Sequence, residues 1–106
     1  MPFDAEVKTE NTDKIILQKA RDLLEKEGWC QGTLVTPRGS MCMYGAINKV
    51  LSGTPQWTVD TLNLSEKWPE VLGFPRPAHL VHWNNNPERT KAEVLDRFDA
   101  AIAKLS

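Results

Sequence analysis

Apolar residues recur at helical spacing in two well-bounded stretches of this 106-residue chain, one toward each end. In KIILQKARDLLEKEG, Ile16, Ala20, Leu23 and Leu24 fall on one stripe, Thr12 or Asp13 stands at the N-cap position, and Gly28 supplies the left-handed stop. In TKAEVLDRFDAAIAKL, Val94, Leu95, Phe98, Ile102 and Leu105 line one face. Thr90 and Glu93 there match the reciprocal capping box, predicting a helix to about Lys104. A third repeat, MCMYGAINKVLSG, carries Cys42, Ala46 and Val50 with Met43, Ile47 and Leu51 beside them, and predicts a buried helix capped by Ser40 and Gly53.

The intervening segments lose this period. Trp29 to Ser40 contains Gly32, Pro37 and Gly39, and its short run Thr33 to Thr36 is β-branched enough for a strand or half of a small hairpin. Gly53 to Asp60 reads as a connector, and Thr61 to Gly73 as a short irregular element in which Pro69 can open a helical turn but not sit inside one. Two prolines stiffen Gly73 to Pro77, and His79 to Asn86 is expected to take an extended or turning path to the last helix. The polar residues before Thr12 have no period. The pattern therefore predicts a flexible N-terminal arm over residues 1–11 and a single helical domain over 12–106. The fold class is mainly α: a compact bundle of three to four helices around an irregular Gly/Pro-containing middle with room for a short β-hairpin.

Composition narrows the setting. A 41% hydrophobic content supports one core, and 13 basic against 14 acidic residues leave a net charge of -1, so no nucleic-acid partner is expected. Met1 to Glu10 lacks the apolar stretch of a secretory signal, and no apolar run approaches the roughly 20 residues that span a bilayer. A cytoplasmic location follows as the expectation, with no membrane partner, with Cys30 and Cys42 as free thiols, and with the sequon at Asn63 unused.

Candidate chemistry is sparse. Cys42 stands near a predicted helix N-terminus, where the helix dipole favours a thiolate and His79 or His82 could serve as a base; the ordinary reading is a small buried side chain beside Gly45 and Ala46. Cys30, Cys42, His79 and His82 are zinc-ligand types, but eleven residues separate the cysteines and the spacing does not fit a knuckle, so neither metal nor cofactor is expected. Nucleotide-loop and hydrolase signatures are missing. Trp83, Asn84 and Asn86 lead through Pro87 to Arg89 at a helix start, a grouping suited to a small anion or a carboxylate. The ordinary reading there is Asx turns, with Trp83 as a staple and Arg89 solvated. Trp57, placed in a connector, is the tryptophan most suited to an exposed anchor.

The stretches ARDLLEKEGWCQG, CMYGAINKVL and WNNNPERTKAEVL together resemble an uncharacterised family of small actinobacterial and actinobacteriophage proteins, over most of the chain from residue 12. The shared motifs are Gly-Trp-x-Gln-Gly, Cys-x-x-Gly-Ala and Trp-Asn-x-x-Pro-x-Arg-Thr-x-x-Glu-Val-Leu. The chain departs from the family pattern at Asn85, where the family has Asp. The resemblance implies a bacterial or phage-encoded protein of the host cytoplasm and carries no activity with it. Missing catalytic signatures and small size then favour an interaction module that modulates a host protein, or one that pairs with itself through the last helix as a homodimer. A cysteine-dependent hydrolase or transferase is the alternative, and a binder of a small anion near Trp83 to Thr90 a further one.

Overall fold

The computed structural model describes the backbone of residues 4–52 and 67–105, and side chains within those spans from residue 13 onward. It is mainly helical. Trp57, Asn63 and Gly53, and with them the expected connector and the cap at Gly53, lie outside the described residues.

Helix α1 spans Asp4–Glu27 and buries Ile16, Leu17, Ala20 and Leu24; of the stripe expected from the sequence Leu23 is only partly buried, and Leu17 joins it. It starts upstream of the cap predicted at Thr12 or Asp13. Residues 4–11 contain neither glycine nor proline, and extending an existing helix adds one hydrogen bond for each residue ordered. Asp13 pairs with Lys67 at 3.2 Å. At the other end Gly28 takes φ +107° and donates to Leu24 O, closing the helix in the left-handed conformation that glycine adopts without strain.

Helix α2 spans Met43–Leu51 and turns Met43, Ala46, Ile47, Val50 and Leu51 into the core against α1. Its N-cap is Cys42, whose Sγ accepts from the Gly45 amide at 3.3 Å, and not Ser40 as the pattern suggested. Ser40 instead donates its hydroxyl to Glu27 O, beside the end of α1. Between the two helices the chain makes isolated bridges, Trp29 with Met41 in parallel sense and Val35 with Met41 in antiparallel sense. Each is one residue long because Gly32, Pro37 and Gly39 keep turning the segment.

The loop passes directly over α2. Leu34 O accepts from the Cys42 amide at 3.0 Å, and a Cβ on Gly45 would sit inside that same carbonyl. Gly45 is thus required by close approach and not by its backbone angles.

A short helical stretch at 67–71 buries Trp68, followed by buried Leu72 and Phe74. Helix α3 then runs Pro77–Asn85, which corrects the extended path expected for His79 to Asn86. Pro77 occupies the first turn, where a proline lacks no needed amide and its fixed φ favours the helix; the prolines mark its start. Helix α4 spans Lys91–Lys104 with both halves of the Thr90–Glu93 capping box formed, and it buries Val94, Phe98 and Ala101 against α1. Arg21 to Asp99 at 2.6 Å and the Lys91 ammonium on Glu25 O tie the outer edges of α1 and α4 together. Exposed pairs of this kind contribute about 0–1 kcal/mol each, so the packed face carries the contact.

Gly45→Ala is expected to cost about 2–3 kcal/mol, by forcing the loop off α2 and breaking the Leu34–Cys42 bond. In a domain of this size that lowers the melting temperature by roughly 10–15 °C. A melt unchanged by the substitution would show that the loop does not lie against α2.

Candidate functional site

Helix α3 presents Leu80 and Asn84, one turn apart, to the interior, with Val81 and Asn85 on the adjoining face. Asn84 is 2% exposed and is the one buried polar or charged residue among those described. Its Oδ1 accepts from Trp29 Nε1 at 2.8 Å and from the Met43 amide at 3.2 Å. Its Nδ2 donates to Cys30 O at 3.3 Å and to Asn85 Oδ1 at 3.0 Å. Trp29 Nε1 and the Met43 amide can only donate, which fixes the orientation of the side-chain amide: turned over, its NH2 would face two donors.

The neighbouring residues extend the same seam. Gln31 Nε2 donates to Asn84 O at 3.0 Å and to Asn86 O at 2.6 Å, satisfying carbonyls that the end of α3 leaves without helical partners. Asn85 Oδ1 accepts from the Gly32 amide at 2.9 Å, and Asn86 Oδ1 from the Glu88 amide in the Asx turn expected there. The segment 29–32 is in this way latched to 84–86.

Beside the latch lies a cleft of about 220 Å³ walled by Leu34, Cys42, Tyr44, Leu80 and Val81, with Gly32, Thr33, Asn84 and Asn85 at its edge. A second cleft, about 290 Å³, runs along Val35, Met41, Gly45, Asn48 and Lys49, and Leu34 forms a wall of both. Leu34 and Val35 thus make an apolar ridge between two hollows, and both are more than half exposed, at 54% and 55%.

The chemistry-bearing residues are placed as follows. Cys42 faces the first cleft; burial pushes its thiol above the ordinary cysteine range, partly offset by backbone amides, chiefly that of Gly45. His79 and His82 are exposed on α3, and neither lines that cleft. The Tyr44 hydroxyl is buried without a hydrogen-bond partner. Trp83 packs on Phe74 with ring centroids 5.6 Å apart, and the Arg89 guanidinium lies 3.9 Å from its ring centre. Arg89 Nε also donates to Trp83 O at 2.9 Å, and its NH1 pairs with Glu93 at 3.3 Å, leaving the side chain 16% exposed. Of the binding candidates on this segment, then, Asn84 has its hydrogen-bonding positions filled within the chain, and Arg89 is held against Trp83 and Glu93. Among the described residues no cluster of three or more His, Cys, Asp or Glu could hold a metal ion, and no helix is long and apolar enough to cross a membrane.

Sequence reasoning did not single out Leu34, Tyr44, Val81 or Gln31. The available signal was the recurrence of two short Trp-and-amide motifs, WCQG and WNNN.

Asn84→Ala is expected to cost about 3 kcal/mol, because it strands the Trp29 Nε1, Met43 amide and Cys30 carbonyl groups at once. Thermal melts with tryptophan emission check this, and a loss under about 1 kcal/mol would mean that water replaces the amide. A second expectation concerns the thiol. In a Cys30→Ser background, Cys42 should alkylate slowly at neutral pH, its rate rising with the thiolate fraction but staying below that of the unfolded chain until the pH passes its raised pKa. Since the folded pKa is the higher one, the thiol's share of stability is present at neutral pH and lost on alkalinisation. Rapid alkylation of the folded form at neutral pH would overturn this.

Among known proteins, a family model described as a Family of unknown function (DUF6197) matches residues 8–104. No curated protein and no solved structure matches the chain.

Proposed function

The chain belongs to that family of unknown function, and on the geometry above we propose that it is a small protein-interaction module whose recognition surface is the Leu34–Val35 ridge with the cleft beside it. The observation that carries this reading is the arrangement of exposed apolar side chains. Leu34 and Val35, on a loop fixed to α2 and α3 by hydrogen bonds, and Val81 of α3, at 39% exposure, gather around two hollows floored in part by buried Leu80, Met41 and Gly45. A rigid, apolar, concave surface recognises an inserted apolar side chain, because little ordering cost is left for binding. The partner is a host protein in an actinobacterial or phage-infected cytoplasm, the setting that the chain's motifs resemble.

The cysteine-dependent reading through Cys42 with His79 or His82 draws less support, since burial favours the protonated thiol and neither histidine lines its cleft. The anion reading near Trp83 to Thr90 is weakened by the internal engagement of Arg89.

The test is capture from an actinobacterial lysate with the tagged chain, alongside Leu34→Asp and Val81→Asp variants, followed by titration with the purified prey. A charge on the ridge should weaken binding of a specific prey by about tenfold or more. The melting temperature should stay within a few degrees, since both side chains are exposed. Equal affinity for the variants would sink the proposal, as would turnover that requires Cys42.

A further inference from the structure

The Trp29–Met41 bridge places two cysteines side by side that lie well apart in sequence. The Met41 amide donates to Gly28 O and the Cys30 amide to Met41 O, both at 3.0 Å, the pattern of a parallel pair centred on Trp29 and Met41. The residues that follow, Cys30 and Cys42, therefore leave this isolated bridge together on the same side of it. Paired backbones lie about 4.8 Å apart. A disulfide joins Cα atoms about 4.4–6.8 Å apart.

Independent contacts give the same juxtaposition. The Asn84 side-chain amide reaches Cys30 O at 3.3 Å and the Met43 amide at 3.2 Å, so one small group touches the backbone on both sides. Cys30 Sγ itself donates to Thr33 O at 3.4 Å and to Ser40 O at 3.5 Å, the latter two residues before Cys42 in the chain. Burial raises the pKa of Cys30, and charge on Cys42 raises it further, as expected of close thiols. Both cysteines are free.

We propose that Cys30 and Cys42 form an oxidation site, closing an intramolecular disulfide when the protein meets hydrogen peroxide. Cys30 is the less deeply set and reacts first, slowly because burial disfavours its thiolate: the thiolate fraction attacks peroxide, the O–O bond breaks, and a sulfenic acid and water result. The sulfur of Cys42 then displaces hydroxide from that sulfenic acid, forming the S–S bond and releasing a second water. In sum two thiols are oxidised and one peroxide is reduced to two waters. To close, Cys42 Sγ leaves the Gly45 amide, so the bond exchanges the α2 cap for a covalent tie between the end of α1 and the start of α2. The tie encloses the Leu34–Val35 ridge, but the site stands on the cysteine geometry alone and does not depend on the proposed function.

The experiment treats the folded full chain with hydrogen peroxide, blocks residual thiols with N-ethylmaleimide, and maps tryptic peptides without reduction. Cleavage after Lys26, Arg38 and Lys49 puts the cysteines on separate peptides, 27–38 and 39–49. The expected result is a monomer in which these two peptides are linked, released by reductant, with linkage in the folded chain several-fold faster than in the urea-unfolded chain. In Cys42→Ser, Cys30 should instead accumulate as sulfenic and sulfinic acid. The inference is overturned if Cys30 over-oxidises in the unaltered chain while Cys42 stays a thiol, if Cys30-linked dimers dominate, or if unfolding leaves the linkage rate unchanged.

Discussion

A primary amide can sit in an apolar core at little net cost when every donor and acceptor on it is matched, and Asn84 meets that condition. Its four hydrogen bonds reach the side chain that follows α1, the first amide of α2, the backbone between them and its own neighbour on α3. Three elements that share no local sequence are held by one side chain. The apolar core supplies the larger driving force, but apolar contacts tolerate sliding, whereas a hydrogen-bonded amide accepts a single register.

The ridge and clefts are consequences of that register. With 29–32 fixed against 84–86, the chain must return across α2 to reach Met41, and Gly45 is where the two backbones meet. The absence of a Cβ lets Leu34 O bond the Cys42 amide, which in turn holds the Leu34 and Val35 side chains outward. Their exposure therefore does not reflect a loose loop. It follows from backbone hydrogen bonds on one side and a steric floor on the other, the condition under which exposed apolar surface can be specific.

The sequence made the long helices legible because their information is local: a stripe, a cap, a glycine stop. The capping box at Thr90 and Glu93 and the left-handed Gly28 appear in the structure as the pattern implied. Signals with two local meanings were harder. Pro77 reads equally as the stop of one element or the first turn of the next, and Cys42 and Ser40 are both competent caps until the position of the Gly45 amide decides between them. The site was the least legible part, because its defining facts are distances between residues far apart in sequence. WCQG and WNNN each look like surface polar motifs, and their mutual complementarity appears only when α3 is placed beside the end of α1.

This division also bears on how the motif residues should be interpreted. Trp29, Gln31, Asn84 and Asn85 carry the functional groups that usually suggest a binding site, yet Trp29 Nε1, Gln31 Nε2, Asn85 Oδ1 and both side-chain polar atoms of Asn84 hydrogen-bond to one another or to the backbone. Arg89 is likewise held by Trp83 and Glu93. Groups already satisfied within the fold gain little from a ligand, since a new hydrogen bond would replace an existing one of similar strength. The side chains with the most to gain from a partner are those left in water without compensation: Leu34, Val35 and Val81 beside the clefts, and Ile15 on α1, which lines neither. In this architecture the polar motifs build the surface, and the apolar residues between them are free to be recognised.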